Sequence, residues 1–455
     1  MKKTHLYLTI HDIHGQGGTE RVVINLCYLF YKKFDITIIS YLGEKPTLLA
    51  PLPQNVKIIY LHHTFPKVFL SKLKFNILIN SKLSNEQNIL IANCNHFFPF
   101  IKKARTKYIR LEHYNFDFLF KKYRHKSPLY PRARFFDIFV ILSSFEKELY
   151  AKLHKNIKVI PNFLPFISNK NTDSNQHRII SVGRMDNGDQ KGFLRLIDIW
   201  EKVQEKMKAG LESTPLEQVQ NVRVQNSETL ESNPCSTNSP HCHTEHSEVS
   251  NIESKKDISP FLKARTIRKD FAHTCKYDNI TIQNDNHEKN LDSKQVIAKT
   301  ATHTKDLESW QLVIVGDGPM KEQIESKIKA KNLQDTIILK PFTKDIESEY
   351  LNASIYAMTS HFEGFPMVLL ESCSYALCPI AFDVATGPSD IIESHTSGYL
   401  IQDNDLQDYA DKLLTLMSDK QKRESMGLQA KQRVKEKFSK EAIMPLWEEV
   451  FRGGR

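Results

Sequence analysis

No run of this chain stays apolar for the roughly twenty residues that a membrane-spanning helix needs. The longest candidate, Phe365 to Phe382, is interrupted by Glu371, small polar residues and Pro379, so no bilayer crossing is expected. A secretory leader is not expected either: the short apolar stretch after Lys2 and Lys3 is broken by His11, Asp12 and His14. Cysteine is sparse and odd in number, seven in 455 residues at ordinary spacings. That argues against a secreted disulfide framework and for a reducing cytoplasm. The cysteines and histidines between Cys235 and Cys275 have no zinc-module spacing. Incidental clustering in a polar tract is the preferred reading there.

Aromatic residues are nearly absent from Lys208 to Glu308, which holds only Phe261, Phe271 and Tyr277. Such a tract cannot bury enough apolar surface to form a core. Residues 208–308 are therefore expected to be a disordered or partly helical insertion. What remains is the length of two domains of roughly 180 residues each.

Outside that tract, short β-branched runs alternate with helical patterns. His5–Ile10, Ile36–Ile39, Lys57–Tyr60, Ile89–Ala92, Tyr108–Leu111, Ile138–Ile141 and Val159–Ile160 form a first series. A second comprises Arg178–Val182, Leu312–Val315, Ile337–Leu339, Ile355–Met358 and Pro379–Phe382. Strand–helix alternation predicts parallel, doubly wound sheets. The fold expected is α/β, with two doubly wound, Rossmann-like domains: residues 1–165, then 176–207 with 309–440. The prolines of Pro161–Pro165 and the polar 168–176 segment read as a linker. Apolar positions at 193, 194, 197, 200, 203 and 207 predict a helix over Phe193–Met207. Tyr409, Leu413 and Met417 share a later helical face, and 441–455 reads as a terminal helix, patterned on Ile443, Leu446 and Val450, that packs locally.

Several loops between these elements have the composition of ligand sites. Gly15-Gln16-Gly17-Gly18-Thr19-Glu20 joins the first strand to a helix, a geometry that offers backbone N–H groups to an anion. It fits a tight turn equally well, and its spacing is not the dinucleotide fingerprint. Val182-Gly183-Arg184 ends a strand, and Lys191-Gly192 precedes the next helix. Cations at the carboxyl edge of a parallel sheet stand where such folds bind phosphates, although solvated surface cations would read the same. In His361-Phe362-Glu363-Gly364-Phe365-Pro366-Met367-Val368-Leu369-Leu370-Glu371, proline suits the helix's first turn, with Glu363 before it and Glu371 within it. Helical rise over eight residues gives roughly 12 Å between the carboxylates. They could receive two diols flanking a diphosphate; a helix cap and an exposed acid are the plain alternative.

Four motifs in this order resemble the retaining glycosyltransferases of family 4, whose GT-B architecture implies two Rossmann-like domains facing each other across a cleft. They are Gly17-Gly18-Thr19-Glu20-Arg21, Val182-Gly183-Arg184 with Lys191-Gly192, Val315-Gly316-Asp317-Gly318-Pro319, and Glu363 to Glu371. The stretch from Phe362 to Ser374-Tyr375, with Gly387-Pro388-Ser389-Asp390, is similar to galactosyltransferases of lipopolysaccharide core assembly. The resemblance implies a nucleotide-sugar donor, UDP-hexose or UDP-N-acetylhexosamine, and a lipid-linked or polysaccharide acceptor, without metal or further cofactor. It also implies that Arg184 and Lys191 hold the diphosphate, Glu371 the ribose and Glu363 the transferred hexose. Gly364, Phe365 and Pro366 would then line the sugar site, with Gly183 and Gly316 in the donor loops and Gly17 and Gly18 closing from the opposite domain. His113 would lie near the acceptor; as a lone histidine it could equally be structural. Two carboxylates about 12 Å apart do not match the roughly 5 Å of a retaining glycosidase, so they read as binding groups. Asp186 and Asp189 make the phosphate loop acidic and are expected to turn outward. Asp403-Asn404-Asp405 has the spelling of a metal site but reads as a helix cap.

The net charge of +10 is mostly local: 96–136 holds eleven Lys or Arg against two acids, interleaved with eight phenylalanines. Such a mixture suits an anionic lipid surface, which would put the protein on the inner face of the cytoplasmic membrane. A partly buried surface is the alternative, and nothing resembles a nucleic-acid module. A non-enzymatic glycan-binding scaffold, or a phosphorylase or epimerase on the same fold, would be the competing functions.

Overall fold

The computed structural model describes residues 4–15, 17–43, 48–61, 75–79, 81, 87–93, 101–116, 133–212 and 309–453. The expected 208–308 insertion, apart from its first five residues, lies outside them.

The amino-terminal half is a seven-stranded, wholly parallel sheet. In chain order its elements are β1 (His5–Ile10), α1 (Gly18–Phe30), β2 (Asp35–Ser40), β3 (Lys57–Tyr60), β4 (Asn88–Ala92), β5 (Thr106–Leu111), β6 (Ile138–Ile141), α2 (Lys147–Ala151) and β7 (Ile157–Val159). The strands lie side by side as β3-β2-β1-β4-β5-β6-β7. The second half contains β8 (Arg178–Val182), α3 (Phe193–Glu212), β9 (Gln311–Val315), α4 (Lys321–Ala330), β10 (Ile337–Lys340), α5 (Ile346–Leu351), β11 (Ile355–Met358), α6 (Met367–Ser374), β12 (Cys378–Asp383), α7 (Pro388–Ile391), β13 (Tyr399–Gln402), α8 (Leu406–Ser418), α9 (Lys420–Phe438) and α10 (Lys440–Arg452). Its sheet runs β10-β9-β8-β11-β12-β13. Strands β4, β6 and β11 are buried at every residue, as expected for parallel strands covered on both faces.

The helical patterns fold as their periodicity dictates. On α1, Val22, Val23, Leu26, Leu29 and Phe30 are buried. On α3, Phe193, Leu196, Ile197, Trp200 and Val203 are fully enclosed, and the helix runs past the expected Met207 to Glu212. Strand β13 was not among the runs read from the sequence.

Three expectations are corrected. The segment after Pro161 is not a bare linker: Phe163 and Leu164 are 2% and 6% exposed. Asn25 Nδ2 donates to the Phe163 carbonyl at 2.8 Å, and the Leu164 amide donates to Phe438 at 2.9 Å. Proline forbids a helix there but not burial. The polar stretch that follows is pinned too, with the Thr172 amide donating to the Tyr375 carbonyl at 2.8 Å.

Asp189, expected to face outward, is 8% exposed and caps α3, accepting from the amides of Phe193 and Leu194 at 2.8 and 3.0 Å. The opening N–H groups of a helix need such an acceptor.

The terminal helix does not pack locally. Ile443, Trp447 and Val450 form its buried face while Leu446 is 38% exposed, so the core-facing stripe is 443–447–450. Trp447 and Phe451 meet Phe30 of α1 edge-on, at 5.8 and 5.2 Å between ring centroids. Lys107 of β5 donates to the carbonyls of Val450 and Phe451 at 3.2 and 2.7 Å, neutralising the helix's negative end. Thus α10 belongs to the layer covering the first sheet.

Trp447→Ala should lower stability by about 3–5 kcal/mol in chemical denaturation, whereas Leu446→Ala should change it by no more than about 0.5 kcal/mol.

Candidate active site

The second sheet reverses its order between β8 and β11, and open parallel sheets bind ligands at the carboxyl ends of strands at such a switch. The loops leaving β8, β9 and β11 meet here. The Gly183 amide donates to the Val315 carbonyl at 3.1 Å and the Met185 amide to Asp317 at 3.0 Å. A Cβ on Gly316 would lie 1.9 Å from the Gly183 carbonyl oxygen, so these loops interlock only because Gly316 lacks a side chain. Lys191 passes directly over Gly183, where a Cβ would meet its Cγ at 2.8 Å.

Lys191 Nζ pairs with Glu363 Oε1 at 2.7 Å, their side chains 19% and 7% exposed. Glu363 is therefore neither a cap nor a solvated acid. Pro366 is the N-cap of α6, one position before the expected first turn. Only Met367 to Glu371 of the interval between the acids is helical, so helical rise alone does not set their separation. Arg184 extends into solvent and pairs with Asp186 at 3.1 Å. Asp186 thus turns onto the cation beside it, contrary to the outward orientation expected. Phe365 sends its ring into the core against Phe438, 5.6 Å between centroids. Its backbone, not its side chain, is what it can offer a ligand, which corrects the lining role expected of it.

The first half supplies the opposing wall. Gly17 caps α1 and donates its amide to Glu20 Oε2 at 3.0 Å. A Cβ on Gly17 would stand 3.8 Å from Arg184 Nη1, whereas Gly18 has open space around it. Burial pushes the Glu20 carboxyl above the usual carboxylate range, and Arg184 partly opposes that. Glu371 Oε1 forms an ion pair with Arg21 Nη1 of α1 at 3.1 Å. Burial pushes the Glu371 carboxyl up as well, with Arg21 acting against it.

The loop after β5 closes the other end. Asn115 Nδ2 donates to the Glu363 carbonyl at 3.3 Å. A Cβ on Gly364 would come within 2.1 Å of the His113 carbonyl oxygen, so any side chain there would separate the two walls. The His113 ring bonds through Nε2 to Asn93 Oδ1 at 3.0 Å. Burial, with help from Arg110, pushes it down to about 3, so it is neutral at physiological pH. Arg110 is itself buried and pairs with Glu112 at 3.0 Å.

The structure thus brings Lys191 to Glu363, Gly364 to His113 and Gly17 near Arg184, with Gly183 and Gly316 shaping the loops behind Lys191. Arg21, Glu20 and Asn115 were missed as site residues. Arg21 and Glu20 stood in a quoted motif, but only the fold reveals which charges they face. Asp317 accepts from the Phe342 amide at 2.7 Å, a turn-holding role. Among the described residues no cluster of three or more His, Cys, Asp or Glu could hold a metal. Asp405 caps α8, as expected, and Asp403 binds Arg195 at 2.8 Å. Cys27, Cys373 and Cys378 are buried free thiols.

The basic, aromatic stretch 96–136 is only partly described. Within it Phe116 and Phe136 are buried, Arg110 and Lys107 are engaged as above, and Lys102 pairs with Asp137 at 2.6 Å. Phe116, Phe136, Arg110 and Lys107 thus belong to the fold, whereas Lys102 stays exposed. Phe97, Phe98, Phe100, Phe118 and Phe120 lie outside the described residues. No described helix is long and apolar enough to cross a membrane.

Comparison with known proteins agrees with this architecture. Residues 263–433 match the family of glycosyl transferases group 1. Over 138 residues it is 33% identical to the poly(ribitol-phosphate) alpha-N-acetylglucosaminyltransferase of Staphylococcus aureus, covering 30% of this chain and 28% of that protein. It is 32% identical over 102 residues to the lipopolysaccharide 1,6-galactosyltransferase of Escherichia coli, 22% of this chain and 28% of the relative. A Haemophilus influenzae protein described as an uncharacterized glycosyltransferase is 22% identical but spans 92% of this chain and 91% of its own length. The chain therefore covers less than a third of the first two relatives. A crystallised mutant of S. aureus TarM, in complex with fondaparinux, alpha-GlcNAc-glycerol and UDP, aligns over 100% of both chains with a TM-score of 0.66 at 15% identity. That likeness establishes the shared GT-B fold.

A histidine whose folded value lies near 3 against 6.5 unfolded favours folding above pH 6.5 and loses that contribution as acid protonates the unfolded chain. Between pH 6.5 and 5, His113 should account for about 1–2 kcal/mol of acid destabilisation. Denaturation of His113→Gln should show a correspondingly shallower loss.

Proposed function

We propose that the chain is a retaining glycosyltransferase that moves a hexose or N-acetylhexosamine from a UDP sugar to a polysaccharide or glycolipid acceptor. The observation that carries this reading is the pairing of Lys191 with Glu363 at the switch point, with Arg184 on the adjoining loop facing Gly17 of the other wall. The group 1 match and the transferase relatives support the class, and UDP in the TarM crystal supports the nucleotide. The relatives' names include both N-acetylglucosamine and galactose transfer, so the sugar is left at the level of hexose or N-acetylhexosamine.

In the reaction the bond between the sugar's anomeric carbon and the phosphate oxygen breaks, and its electron pair stays on the diphosphate. An acceptor hydroxyl oxygen bonds to that carbon on the same face, and its proton passes to the departing phosphate. Arg184 supplies a planar fork for phosphate oxygens. Lys191 has three donors; Glu363 takes one, and the others can meet the phosphate. Glu363 thereby joins the transferred hexose to the cation that stabilises its leaving group. Glu371 receives the ribose hydroxyls, while Gly17 and Gly18 let backbone approach the donor from the other wall. Neutral His113 offers hydrogen bonding rather than charge beside the acceptor. No metal or further cofactor enters this reading. The basic and aromatic remainder of 96–136 would meet an anionic lipid surface, in keeping with a lipid-linked acceptor.

Removing one preorganised contact to the developing charge costs on the order of 10²–10³ in rate. Arg184→Ala and Lys191→Ala should each reduce transfer from UDP sugars by that factor while far-UV circular dichroism stays unchanged; near-normal turnover of both would remove the phosphate assignment. Proton NMR of the first-formed product should show the donor's anomeric configuration kept.

A further inference from the structure

We infer that Arg21 is a positioning residue for donor binding: from the first domain it holds Glu371 of the second in the ionised, oriented form that can receive a ribose. This rests on the reading of Glu371 given above and extends it to a residue that does not itself touch the donor.

The geometry comes first. Arg21 Nη1 lies 3.1 Å from Glu371 Oε1, and the Glu371 side chain is 12% exposed. A carboxylate has about four acceptor positions on two oxygens, so a guanidinium on Oε1 leaves capacity for hydroxyl donors. Arg21 gains nothing from its own helix. It sits just past the first turn of α1, where the macrodipole is positive and disfavours a cation. The acid it meets comes from α6, in the other half of the chain.

The surroundings of Glu371 otherwise oppose ionisation. The titratable groups that interact with it are Tyr350 of α5, Tyr356 of β11 and Tyr375 after α6, whose hydroxyls it pushes upward, and Arg21 of α1. Arg21 is the one cation among them, so without it a buried carboxyl faces tyrosines and takes up a proton more readily. A protonated carboxyl has lost acceptor capacity and holds its own hydrogen toward the ligand. The neighbouring Glu20 accepts from the Gly17 amide at 3.0 Å and lies within electrostatic reach of Arg184.

Uridine 5′-diphosphate binding, measured by titration calorimetry from pH 5.5 to 8.5, tests this on the full-length chain. Taking the ratio of variant to wild-type affinity at each pH cancels the ligand's own titration. Arg21→Ala should bind at least tenfold more weakly than wild type near pH 6 and recover most of the difference by pH 8. Arg21→Lys should stay within about threefold throughout, because a nearby point charge still favours the carboxylate. Glu371→Gln should be weakened by a factor that does not vary with pH. An Arg21→Ala ratio that is flat with pH, whether at unity or below it, overturns the inference, the latter outcome making Arg21 a direct ligand contact. Thermal melting of each variant reports folding separately. Absence of UDP binding by the wild-type chain would instead remove the donor reading itself.

Discussion

Charge burial is the constraint on which this site depends. A carboxylate kept from water is stable only with a partner, and both acids of the Glu363–Glu371 motif are kept from it. Each meets its cation by a different route. Lys191 reaches Glu363 within the second half of the chain, across the switch between β8 and β11. Arg21 reaches Glu371 from the first half. The donor end that would take the sugar is thus assembled within one sheet, whereas the ribose end is completed only when the other half is in place.

Several devices keep that second half in place. The Leu164 amide bonds to Phe438, and Leu164 bridges to Ser439, so the chain's two crossings between the sheets run side by side. Helix α10 then lays Trp447 and Phe451 on Phe30. Because Phe30 closes the same helix that carries Arg21 near its start, packing at the carboxyl terminus braces a residue of the site. At the far end the His113 carbonyl fits against Gly364 and Asn115 reaches Glu363. The fit at Gly364 leaves no room for a Cβ.

Much of the fold could be read in advance, since parallel strands buried on both faces write themselves as β-branched runs. Strands β1, β3, β6, β8 and β11 begin and end where those runs do. The outward expectation for Asp189 failed because a charge in a loop gives no sign that a helix a few residues on needs its oxygens. The local packing expected of the terminal helix failed similarly: an amphipathic pattern announces a buried face without naming what covers it. Of the site, the motif residues Gly17, Arg184, Lys191, Glu363 and Glu371 were legible from type and spacing; Asn115 was not, being one polar residue in a loop.

By itself the sequence determined which residues could carry charge, turn tightly or stack in a core, because those properties are local and chemical. Tertiary structure decided the pairings: Glu363 with Lys191 rather than with its own helix, Asp186 with Arg184 rather than with water, Glu371 with Arg21 from the other sheet. An electrostatic interaction between charges depends on their separation in space. That separation is set by how two sheets close over their loops, for which positions along the chain hold no measure.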